Sequence, residues 1–116
     1  MNQWKATETQ EQIAVADYLR AKGIMFLHVP NEGKRSVTMG QILTAMGMKP
    51  GFPDLLILEP RGAHHGLAIE MKIPGGRLSY NQKEWLADLA SRRYAAVAAW
   101  GADEAIRFID EYMNLK

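Results

Sequence analysis

Two carboxylates and a lysine stand at strand ends, where a folded chain has little structural use for charge. Asp54 follows Gly51-Phe52-Pro53 and opens the apolar run Leu55-Leu56-Ile57-Leu58, while Glu70 and Lys72 close a second run that begins Gly66-Leu67-Ala68-Ile69. Aspartate is depleted in strands, and charged side chains are rarely buried without a partner. Side chains alternate along a strand, so Glu70 and Lys72 project from one face and Met71 from the other. The three charges can therefore share one pocket. Two carboxylates held close repel unless a cation lies between them, and their hard oxygens suit magnesium or manganese. Beside a phosphodiester, such an ion neutralises charge, activates a water and steadies the departing oxyanion. Lys72 can orient and help deprotonate that water, or stabilise the charge that builds on the phosphate; both roles stay open.

These groups need elements to hold them. Thr7-Glu8-Thr9-Gln10 is a capping-box pattern, and Ile13, Val15, Ala16, Tyr18 and Leu19 recur at helical spacing until Lys22-Gly23, which predicts a helix over about 8–22. Ile24 to Val29 is bounded by Gly23 and Pro30 and reads as a strand, expected at or near the sheet centre. Residues 31–36 form a polar turn, and Thr38 to Met46 a second helix that stops at Gly47. Pro53 pushes Phe52 to extended geometry, so a strand starts there, and Glu59 to His65 form the turn to the adjacent strand. After Pro74-Gly75-Gly76, Ser79 to Gln82 is a second capping box, opening a helix with Trp85, Leu86 and Leu89 inward and Gln82 on the same face. Tyr94 to Trp100 gives a fourth strand, and Asp103 is expected to cap a last helix with Ile106, Ile109, Tyr112 and Met113 inward. The order α-β-α-β-β-α-β-α predicts an α/β domain, with helices flanking a mixed sheet.

Composition narrows the class. A chain of 116 residues suits one domain spanning 1–116 around one core. Hydrophobic content of 47% and charge of 23% describe an ordinary globular protein. The absence of cysteine excludes disulfides and thiolate metal sites, and with no apolar leader a reducing cytoplasmic setting is expected. No apolar run approaches membrane-spanning length. Net charge of +1 is too small to argue for nucleic acid by itself.

Pro53-Asp54 on one strand and Glu70-x-Lys72 on the next resemble the PD-(D/E)XK nuclease superfamily. The wider set narrows the likeness: Asn31-Glu32-Gly33, the stretch from Met46 to Asp54, Ile69-Glu70-Met71-Lys72 and Gln82 resemble the virus-type replication-repair nuclease (VRR-NUC) family in its short stand-alone phage form. That resemblance implies the same α/β core and a DNA endonuclease dependent on Mg2+ or Mn2+. It implies Asp54, Glu70, Lys72 and Gln82 as catalytic residues, and Glu8, Asp54, Glu70 and the Met71 backbone carbonyl as metal ligands, with Glu11 as the other choice for the helix carboxylate. Asn31 and the loop bases Lys34, Arg35, Lys49 and Arg77 are expected against DNA phosphates. Likeness to Holliday-junction resolvases implies a homodimer acting on branched DNA such as four-way junctions, and helix 2, with Met39, Ile42, Leu43 and Met46, carries more apolar surface than one core contact needs.

Taken singly, each residue has a plainer use. Asp54 can start a strand, Glu70 and Lys72 can form a solvated pair, Glu8 suits any first helical turn, and Gln82 completes a capping box. His28, His64 and His65 match no zinc spacing, and Trp85 with Met39, Met46 and Met48 reads as core or interface filling. The rival readings are a nonenzymatic DNA-binding module of the same fold and a purely structural α/β protein.

Overall fold

In the computed structural model the chain is described over residues 7–30 and 36–116, so Asn31, Glu32, Gly33, Lys34 and Arg35 lie outside the described residues. Eight elements follow in the expected order: α1 (Glu8–Ala21), β1 (Phe26–His28), α2 (Val37–Ala45), β2 (Leu55–Ile57), β3 (Leu67–Lys72), α3 (Tyr80–Ser91), β4 (Ala95–Trp100) and α4 (Ala102–Met113). The four strands form one mixed sheet in the order β1-β2-β3-β4. β1 and β3 each run antiparallel to β2, and β4 runs parallel to β3 through the α3 crossover.

β1 is thus an edge strand, not a central one, and it spans only three residues. Its exposed Leu27 shows why: among the described residues no helix covers that face of β1, whereas five of the six β3 residues are buried. A strand covered on both faces reads as a continuous apolar run. Ile24 to Val29 reads that way but is covered on one side only.

Val15 and Leu19 of α1, Ile109 and Tyr112 of α4, and Leu55, Ile57, Leu67, Ile69 and Met71 of the sheet form the main core. α3 packs on β3 and β4. Fully burying a side chain such as Leu19 or Ile109 stabilises by about 1.5–3 kcal/mol, and α4 presents Ala102, Ala105, Ile109 and Tyr112 at helical spacing toward that core. On α1 the buried stripe is Val15 and Leu19, while Ile13, expected inward, is 53% exposed.

Both capping boxes form, Thr7 with Gln10 and Ser79 with Gln82. The expected cap at Asp103 does not. Gly101, at φ 93°, occupies the N-cap of α4, and the free N–H of Ala102 donates to the Glu11 carboxylate of α1 at 2.9 Å. Glu11 therefore ties two helices together, which leaves Glu8 as the first-turn acid facing the sheet end. No described helix is long and apolar enough to cross a membrane.

Candidate active site

The stretch from Gly51 to Asp54 is clamped to the start of α3. Gly51 sits at φ +88°, and a Cβ there would lie 2.8 Å from the Asn81 backbone and 2.9 Å from the Gln82 nitrogen, so only glycine fits. Phe52 meets Trp85 edge to face, centroids 4.8 Å apart, and the Trp85 indole N–H donates to the Pro50 carbonyl at 3.0 Å. Pro53 is buried. Asp54 is thereby delivered to the end of β2 in fixed register with α3.

The pairing of β2 with β3 sets Leu55 opposite Ile69; one step on, Asp54 lies across from Glu70. Both carboxylates are buried, Asp54 at 7% and Glu70 at 1% exposure. Asp54 Oδ2 accepts the Met71 N–H at 2.7 Å, a charge-assisted bond at the point where β3 outruns its neighbour. The Gln82 side chain works at both ends: its oxygen accepts the Ser79 N–H at 2.8 Å in the capping box, and its Nε2 donates to Glu70 Oε2 at 3.3 Å. The capping bond and a contact to Glu70 thus coexist in one amide. Lys72 is half-buried, one pleat beyond Glu70 and beside Trp100 of β4.

Glu8 and Asp54 line one cleft of about 540 Å³ between α1 and β1. Among the described residues no three His, Asp or Glu side chains converge closely enough to share one ion. The donor set nevertheless suits a hard divalent cation: two adjacent buried carboxylates offer the oxygens, and magnesium keeps several of its waters when protein ligands are few. In this geometry Glu8 stands across the cleft and not beside the pair. Of the expected DNA-contacting residues that are described, Arg77 is exposed and Lys49 borders clefts shared with Trp85.

Gln12 escaped the sequence reading, and His28 was weighed there only against zinc. His28, at the end of β1, has Nδ1 2.9 Å from the Asp54 carbonyl and 2.7 Å from the Gln12 amide nitrogen. Nδ1 either donates to the Asp54 carbonyl or accepts from the Gln12 amide, according to the ring tautomer. The signal for Gln12 was present, four residues from Glu8 on the same helical face.

The sequence profile of the VRR-NUC domain matches residues 6–103. The chain belongs to the VRR-NUC family. A solved VRR-NUC domain protein superposes with a TM-score of 0.85 at 31% identity, covering 97% of this chain and 93% of its own. A second solved VRR-NUC domain, at 19% identity and a TM-score of 0.64, covers 92% of this chain and 99% of its own and shares the fold. No curated protein matches the chain. VRR-NUC membership makes this a nuclease-family domain with the PD-(D/E)XK core expected from Asp54, Glu70 and Lys72, and nucleases of this type generally use divalent metals.

Proposed function

We propose that the protein is a metal-dependent endodeoxyribonuclease. The observation that carries this reading is the pair of buried carboxylates, Asp54 and Glu70, facing each other across β2 and β3 with Lys72 one pleat away. A structural protein gains nothing from two adjacent acids in its interior, because each must be desolvated and they repel. When bound between them, Mg2+ or Mn2+ would supply charge neutralisation and an acidified water.

The chain's own groups do the rest. Met71 N–H fixes Asp54, and the Gln82 amide fixes one oxygen of Glu70, so both acids are held without the freedom to swing apart. The Lys72 ammonium, at the sheet end, orients the attacking water and stabilises charge on the phosphate. Met71's carbonyl and, from across the cleft, Glu8 are the further oxygens proposed for the ion, and Lys49 and Arg77 supply phosphate contacts around it.

The substrate we infer is branched DNA, such as a four-way junction met in phage or bacterial replication and repair, cut by a homodimer. Two sites related by a twofold axis match two strands of opposite polarity. Supporting this, α2 buries no residue and exposes Val37, Met39 and Ile42, with Met46 exposed at its C-cap, an apolar surface of the sort that covers itself by self-association. Labelled four-way junction and linear duplex, incubated with the protein in Mg2+, Mn2+ or chelator, test the reading, with light scattering on the same sample. Junction-selective nicking by a 26 kDa species, twice the 13.0 kDa chain, is expected. Equal cutting of both DNAs by a monomer would reject junction choice and dimer, and no cutting of either would reject the enzyme.

A further inference from the structure

Lys72 ends β3 with no polar partner of its own: among the described residues its ammonium makes neither a hydrogen bond nor an ion pair. A lysine stem is flexible, so where its charge points is decided by what walls the stem. The wall comes from the turn that follows. Pro74 and Gly75, the glycine at φ +85°, form a type II turn closed by the Gly76 N–H, which donates to the Ile73 carbonyl at 2.9 Å. Gly76 then lies against the lysine: a Cβ on it would stand 3.6 Å from Lys72 Cδ and 3.0 Å from the Ile73 carbonyl oxygen. One side chain from another strand holds this turn. Trp100 is the register partner of Lys72 across β3 and β4, so both project from the same face of the sheet. Its indole N–H donates to the Gly76 carbonyl at 2.8 Å. The tryptophan stands on a fixed corner, since its own N–H donates to Glu104 Oε1 at 3.1 Å, the Gly101 N–H to the Lys72 carbonyl at 2.8 Å, and the Ala102 N–H to Glu11. At 38% exposure the ring does not belong to the buried core, which leaves the bond to Gly76 as its distinctive contribution.

We propose that Trp100 is a positioning residue for Lys72: its indole N–H pins the turn at residues 73–76 to the end of β4, and the pinned turn walls the lysine stem so that the ammonium keeps one direction. The proposal rests on the nuclease reading and adds to it a residue that touches neither ion nor DNA. Chemistry supplies the reason for such a clamp. An ammonium that orients water or steadies charge on a phosphate works only while it is held in place, and a small displacement of a catalytic group costs rate out of proportion to its size. A partner carboxylate would also hold the lysine, but it would compete with water and phosphate for the same protons. Packing against the stem leaves all three ammonium donors free for them.

Trp100→Phe keeps a ring and removes the N–H. Trace acetylation of the metal-free protein with acetic anhydride, read by mass spectrometry as the ratio of Lys72 to the exposed Lys83, follows the stem without any cleavage. The ratio should rise about three- to ten-fold in Trp100→Phe, the effect of losing one hydrogen bond. Gly76→Ala, which crowds the same turn from within, should raise it as well. On DNA in Mn2+, Trp100→Phe should lower kcat by a similar factor, with KM and the Mn2+ shift in melting temperature held within about two-fold. A merely structural tryptophan would lower the thermal midpoint and leave both the acetylation ratio and kcat at a permissive temperature as in the parent. An unchanged ratio in both variants, or a loss that falls on KM with kcat intact, would overturn the assignment. A raised ratio in proteins of which none, the parent included, cuts DNA would uphold the clamp on Lys72 and remove the nuclease reading instead.

Discussion

Replacing Asp54 separates what its carboxylate does for the fold from what it does for the chemistry. Asp54→Ala removes the acceptor of the Met71 N–H, now at 2.7 Å in a site only 7% exposed. A buried donor left without a partner costs about 1–3 kcal/mol. With an unfolding entropy of about 2.1 cal/mol/K per residue over 116 residues, each kcal/mol moves the midpoint by about 4 °C, so Asp54→Ala should melt about 4–12 °C below the parent in chelator. Asp54→Asn keeps an oxygen for the Met71 N–H. It weakens a charge-assisted bond, by about 1 kcal/mol, and relieves repulsion from Glu70 by a comparable amount, so its metal-free midpoint should stay within about 4 °C of the parent. Metal at about a hundred times its Kd should raise the parent by roughly 2.7 kcal/mol, near 11 °C, and Asp54→Asn by less than a third of that. Scanning fluorimetry with chelator and with Mn2+ measures all four values. Asp54→Asn melting as low as Asp54→Ala, or keeping the parent's response to Mn2+, would refute this division of roles.

Lys72→Ala should slow cleavage at least about 100-fold while preserving the Mn2+ shift in melting, since the ammonium acts on water and phosphate and not as a ligand; a lost shift with cleavage intact would reverse that assignment. Gly51→Ala should destabilise by more than about 1 kcal/mol, because its φ of +88° and the Asn81 backbone at 2.8 Å leave a Cβ no room; urea denaturation with an unchanged midpoint would contradict it. Burial pushes the Tyr112 hydroxyl above the ordinary phenol value, despite the nearby Arg61 guanidinium. A raised folded value means the contribution is intact below about pH 10 and lost as pH climbs from there through the folded value. The parent should therefore lose more stability than Tyr112→Phe between about pH 9 and 11, and parallel losses would show that the ring is not linked to folding.

The elements were legible where a local rule coincided with tertiary need. Thr7-x-x-Gln10 and Ser79-x-x-Gln82 announced their helices because the capping bonds are made within the motif. Asp54 and Glu70 were legible as a pair because an antiparallel turn sets adjacent strands in register. Asp103 misled because acids favour any first turn, and the acceptor chosen for Ala102 came from Glu11, 91 residues distant in sequence, which no local pattern reveals. β1 misled for a related reason: apolar content reports burial somewhere, and Met25 and Leu27 are exposed on the uncovered face. His28 was weighed only as a zinc ligand, although its alternation with Phe26 already placed both on one side of the strand.

Asp54, Glu70 and Lys72 are proposed to form a hydrolytic site. Its most direct test is a cleavage time course on labelled branched DNA with the parent and Glu70→Gln, purified side by side, in Mn2+ and in chelator. Nicking is expected from the parent in Mn2+ alone, and from Glu70→Gln at less than about a hundredth of that rate with an unchanged far-ultraviolet spectrum. Cleavage by the parent in chelator, or by Glu70→Gln at a rate close to the parent's, would contradict it.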